Sequence, residues 1–130
     1  MVRRLPSITL ALFAAINILR GSIHSFAPDG GAHSIAGLDL GSQSATILAL
    51  FASIGLMQLS LGLFELWVLA RKPALVIPVL ALQSVQTLLG VVHLYFYRPL
   101  PVVVPGAAFN LGLLAVVALT WIAYLTRNRT

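Results

Sequence analysis

The chain has 130 residues, 59% hydrophobic and only 8% charged, with a formal net charge of +5 and no cysteine. A soluble domain carries about a quarter charged residues, so this composition excludes a water-solvated fold, and the missing cysteines exclude disulfides, thiolate metal sites and cysteine nucleophiles. The excess positive charge falls in short clusters at the ends of apolar runs, with no basic stripe and interleaved aromatics, so no nucleic-acid partner is expected.

The first apolar run covers residues 5–26. Crossing a hydrocarbon core of about 30 Å takes roughly 20 helical residues, which this run supplies. Met1-Val2-Arg3-Arg4 before it resembles the start of a signal peptide. Asn17 and Arg20 interrupt the run, however, and a cut after Ala27 would fall before Pro28, so a retained first span is the expectation. An outer segment at 27–43 follows, too short to close a core of its own. Its Pro28-Asp29-Gly30-Gly31 reads as a turn, and its mixture of apolar residues and turn formers is that of either a connecting loop or a short lid folded over the bundle mouth.

Three further spans are expected at 44–70, 74–97 and 101–126. Arg71-Lys72-Pro73 is long enough only for a tight antiparallel hairpin, which makes spans two and three neighbours. Pro99, Pro101 and Pro105 crowd the next link, so the fourth helix is free to begin in earnest at Pro105, where a first-turn proline is tolerated. Small residues at four-residue spacing, Ser7, Ala11 and Ala15 in span one and Ala108 and Gly112 in span four, are candidates for close helix packing. Arg3, Arg4, Arg71, Lys72, Arg127 and Arg129 all fall at one side. The positive-inside rule then places both termini in the cytoplasm, with Trp67 and Trp121 near the inner boundary and Tyr95, Phe96 and Tyr97 near the outer one.

Function has to be read from polar residues inside the spans. Counting helical rise from the inner ends puts Asn17, Gln58 and Gln86 at about 18 Å, Arg20 and Asn110 at about 22 to 24 Å, and His24 and His93 at about 28 Å. Asn17, Arg20, Gly21 and His24 share one face of span one; Gly55, Gln58, Gly62 and Glu65 share one of span two; Gln83, Gln86, Gly90 and His93 share one of span three. Such stripes should face the interior, as interhelical hydrogen-bond glue or as the lining of an outward-facing ligand cavity made by Asn17, Arg20, His24, Gln58, Gln86, His93 and Asn110. Arg20 either snorkels, or pairs with Asp29 or Asp39, or anchors an anion or carbonyl group. Glu65 is the one acidic residue inside a span, at about 7 Å from the inner end and too far along the axis to pair directly with Arg20. It is expected to pair with Arg71, Lys72 or Arg4, or to act as a proton-titrating carboxylate. His24 and His93 share a depth, the first requirement for a bis-histidine haem. His24, Asp29 and His33 have ligand types, but their spacing fits no standard metal site, and none is assigned.

The four spans with both ends inside, and a proline-containing outer segment ending in Ala36-Gly37-Leu38-Asp39-Leu40, resemble the DoxX-like group of small bacterial four-helix membrane proteins. Span two, Leu56-Met57-Gln58-Leu59-Ser60-Leu61-Gly62-Leu63-Phe64-Glu65, departs from that group in lacking an arginine and a tyrosine-glycine-glycine element. The resemblance implies a bacterial inner-membrane location and, through some members, a subunit of a quinone-linked oxidoreductase. The expectation is an all-α, antiparallel four-span bundle in the lipid bilayer. With no catalytic motif, it serves as a non-enzymatic subunit beside a membrane partner or its own copies, or as a small-ligand or lipid-binding protein. A redox module holding quinone or haem is the second reading and a proton-coupled carrier the third.

Overall fold

A computed structural model describes residues 4–99 and 104–127. Among them the regular structure is entirely helical: α1 (Arg4–Phe26), α2 (Ser44–Arg71), α3 (Val76–Val92) and α4 (Pro105–Arg127). Single 3₁₀ turns at Gly41–Gln43 and Pro73–Leu75 lead into α2 and α3, and a π turn at His93–Tyr97 extends α3. With those turns the spans have 23, 31, 25 and 23 residues, each long and apolar enough to cross a membrane. With those turns included, expected and observed bounds differ by at most three residues for the first three spans. The fourth helix starts at Pro105, whose missing N–H and fixed φ suit a first helical position; Pro101, the expected start of the fourth span, lies outside the described residues.

The exposed surface explains the solvent. Met57 is 73% exposed, Leu119 66%, Ile8 65% and Leu82 62%, so apolar side chains line the outside of every helix. A soluble monomer does not carry apolar surface on this scale, whereas lipid tails accept it without cost. The chain is a multi-pass membrane protein.

Two compact units divide the chain, and each cut falls within a helix. In the unit made of the residues up to Leu12 and from Val68 onward, Leu10, Val68, Val76 and Val79 form a buried cluster with Leu69 packed against it. Val68 and Val76 meet there because the link is tight. The Lys72 amide donates to the Val68 carbonyl at 2.9 Å, ending α2, and the Leu75 amide donates to the Lys72 carbonyl at 2.8 Å, closing the 3₁₀ turn before α3. Between α3 and α4, the Trp121 indole N–H donates to the Ser84 hydroxyl at 2.9 Å, which itself donates to the Leu80 carbonyl at 2.6 Å. Thr9 and Thr120 join hydroxyl to hydroxyl at 2.8 Å. Each hydroxyl has one proton. Since Thr120 is 2.8 Å from the Val116 carbonyl and Thr9 is 3.1 Å from that of Leu5, the consistent assignment is Thr120 donating to Val116 and Thr9 to Thr120.

The second unit, Phe13–Trp67, holds the C-terminal half of α1, the outer segment and most of α2. Glycine sets its spacing. A Cβ on Gly21 would lie 2.6 Å from the Leu59 amide nitrogen and 2.7 Å from the Gly55 carbonyl; one on Gly55 would meet Ser25 and His24, and one on Gly62 would meet Ile18 and Ala14. Contacts on α2 thus step back toward its start as those on α1 step forward, so within this unit the two helices run in opposite directions. Backbones this close replace the hydrophobic drive that lipid removes with dispersion contacts. The expected packing stripes behave differently: Ala11, Ala15, Ala108 and Gly112 are exposed, and a Cβ on Gly112 would meet nothing within 4 Å. Small size permits close approach without demanding it, and bulkier neighbours decide which face turns inward.

Candidate functional site

Within the second unit the polar residues do not arrange themselves by Cα depth. Glu65 is 0% exposed, and its Oε2 accepts a hydrogen bond at 3.0 Å from Nδ2 of Asn17, itself 8% exposed. The basic partners expected for Glu65, namely Arg71, Lys72 or Arg4, are replaced by this amide. From the glycine contacts, the α2 position level with Asn17 lies about four residues, or about 6 Å, before Glu65. The gap closes because helical side chains lean toward their own N-terminus. In an antiparallel pair the two leans converge. Asn17 points back along α1 and Glu65 back along α2, and they meet near the level where Gly62 faces Ala14 and lets the helices touch.

Glu65 Oε1 is buried and has no hydrogen-bond partner. Two turns nearer the start of α2, on the same face, the Oε1 of half-buried Gln58 is likewise buried and without a donor. An unsatisfied buried acceptor costs about 1–3 kcal/mol, more for a charged group, and intramembrane carboxylates are rare outside working sites. The seam therefore offers acceptors: one carboxyl oxygen and one amide oxygen, on a face otherwise made of Gly55 and Gly62.

Arg20 is half-buried one turn further along α1 and has an interaction of its own. His24 closes the end of this unit that leads into residues 27–43. Its Nδ1–H donates to the Gly30 carbonyl at 2.7 Å and its ring meets Phe51 edge to face at 5.2 Å. The outer segment is folded and not a slack connection. Asp29 accepts from the Ser34 amide at 2.6 Å, the Gly31 amide at 2.9 Å and the Ser34 hydroxyl at 3.2 Å. Those donors pull its carboxyl down from 3.8 to about 2, the Ser34 amide contributing most. Gly37, at φ 67°, ends the last turn with its amide on the His33 carbonyl, as left-handed glycine caps do. Ala32 is fully buried, so the segment packs inward.

His24, Asp29 and His33, weighed as metal ligands, are each occupied in building this fold, His33 through the Leu38 carbonyl at 3.2 Å. Among the described residues no group of three or more His, Cys, Asp or Glu is placed to hold a metal.

The remaining candidates belong to the first unit. Asn110 is half-buried and has an interaction of its own. Gln86 and His93, expected on an inward stripe, are exposed, and His93 lies 5.4 Å from the Tyr97 ring in the π turn. The rotation of α3 explains this. Burying Val76, Val79, Leu80 and Val91 removes more apolar surface than burying a glutamine and a histidine, and of that polar stripe the chosen face takes in only Gln83, 7% exposed. Thr9, Thr120 and Ser84 were not legible as a polar layer, since Ser and Thr also satisfy themselves on their own helix. Comparison with protein-family models, curated proteins and solved structures finds no match to this chain.

Proposed function

We propose that the chain is a non-enzymatic protein of the bacterial inner membrane, an antiparallel four-helix bundle with cytoplasmic termini, that binds a small ligand at the polar seam between α1 and α2. The observation that carries this reading is Glu65: a wholly buried carboxyl, held by Asn17 through one oxygen and offering the other without a donor. Packing glue would satisfy both oxygens, since the cost of an orphan acceptor cancels the gain of the bond beside it. The clustering of basic residues at one side of the spans supports the orientation. The resemblance to the DoxX-like group supports the architecture.

Binding to the folded state raises the unfolding temperature by mass action. A panel of amines, carboxylates, quinones and lipids added to the detergent-purified protein should contain one class that raises it for the wild type and not for Glu65→Gln. If no class separates the two, and Glu65→Gln merely lowers stability, the seam is structural.

A further inference from the structure

The seam between α1 and α2 presents unsatisfied hydrogen-bonding groups of one kind only. Among the described residues the buried side-chain atoms without a partner are Gln58 Oε1, Glu65 Oε1 and, in the other unit, Gln83 Oε1, and all three are acceptors. A ligand that completes the seam has to bring donors. With Glu65 ionised, quinones, carboxylates and lipid carbonyls bring only acceptors, and would leave Glu65 Oε1 as it stands or oppose it electrostatically. A protonated amine brings N–H donors together with the charge that a buried carboxylate lacks. Size points the same way. Cβ atoms on Gly55 and Gly62 would stand 2.6 Å from Ser25 Oγ and 2.8 Å from Ile18 Cγ1, so the helices are in contact on both sides of Gln58 and any group admitted to the seam has to be small.

We infer that Glu65, positioned by Asn17, is the binding residue for a small protonated amine. The inference rests on the ligand-binding reading above and names the ligand class. Glu65 Oε1 takes one N–H of the ammonium while Oε2 keeps the Asn17 amide. A proton on Oε1 would cancel the charge and fill the same lone pair, so proton and amine compete. The other titratable groups of this unit leave that competition to Glu65. Arg20, on the α1 face one turn beyond Asn17, has its own interaction, and its backbone lies about 10 Å along the axis from Glu65. His24 is held by the Gly30 carbonyl, His33 faces the Leu38 carbonyl, Asp29 is tied to Gly31 and Ser34, and Asp39 accepts from the Gly41 amide.

The test is calorimetric titration of the full chain in detergent with methylammonium, and with tetramethylammonium and sodium as cations that lack N–H. Methylammonium should bind with an affinity that falls as the pH is lowered, and at least tenfold more tightly than either comparison cation. Glu65→Gln should abolish binding, and Asn17→Ala should weaken it at least threefold. Because Glu65→Gln can fail to fold, Glu65→Asp serves as the second variant: it keeps the charge, and weakened but still pH-dependent binding is the supporting result. Equal binding of sodium or tetramethylammonium, no binding of methylammonium, or binding indifferent to both pH and Glu65 would overturn the inference. If a quinone or a carboxylate instead stabilises the wild type but not Glu65→Gln, the amine is wrong and the ligand-binding seam stands.

Discussion

At the scale of single residues, three glycines and one aspartate carry most of the consequence in Phe13–Trp67. Gly21 has no room for a methyl group, and what stands in the way is α2 backbone, which cannot rotate aside as a side chain would. Gly21→Ala should therefore force the helices apart and cost about 1–3 kcal/mol in thermal unfolding. Gly112→Ala, in open space on α4, is the matched control and should gain up to about 1 kcal/mol from helix propensity. Asp29 acts outside the spans. Its folded value of about 2 lies below the ordinary 3.8, so its contribution to the outer segment is complete above about pH 4 and is lost as the pH falls toward 2. Exchange protection of the Ser34 and Gly31 amides should follow that course, while Asp29→Asn should lower it already at neutral pH. Protection that stays flat down to pH 2 would show that the loop does not depend on this carboxylate. The candidate residues themselves were legible in the sequence, because a lone acid and an asparagine stand out in apolar spans. Their pairing was not, because counting rise places Cα atoms and ignores the opposite leans of side chains on antiparallel helices.

At the scale of elements, span positions followed from apolar length and proline placement, and the short α2–α3 link from Arg71-Lys72-Pro73. Which way each helix faces was harder. α3 carries both a polar stripe, Gln86–Gly90–His93, and a branched apolar face, Val76–Val79–Leu80, and only comparison of their buried areas shows that the apolar face turns inward. Small residues misled for a related reason: Gly55 and Gly62 lie at a helix contact while Gly112 does not, though all three look equally fit for one. The α3–α4 contact includes a hydrogen bond from Trp121 to Ser84. Ser84→Ala leaves the indole N–H without its acceptor and should cost about 1–2 kcal/mol. In a Trp67→Phe background, where Trp121 is the remaining tryptophan, its fluorescence should shift at the same time; an unshifted spectrum with unchanged stability would mean that the bond is not formed in detergent.

At the scale of the whole molecule, the composition alone demanded lipid, and the exposed leucines, isoleucines and methionine of the four helices agree with it. The orientation rests on six basic residues at one side. A C-terminal reporter should accordingly be active only when its assay is sensitive to the cytoplasm, and activity confined to the outside would reverse the assignment. What distinguishes this protein from four inert apolar rods is a carboxyl closed off between two of them. The most direct test of that feature is a double-mutant cycle in detergent with Asn17→Ala, Glu65→Ala and the pair together. The bond between Asn17 and Glu65 predicts a coupling of about 0.5–2 kcal/mol, because removing either partner already forfeits the interaction. Losses that add to within about 0.3 kcal/mol would contradict it, and with it the seam as the centre of the molecule.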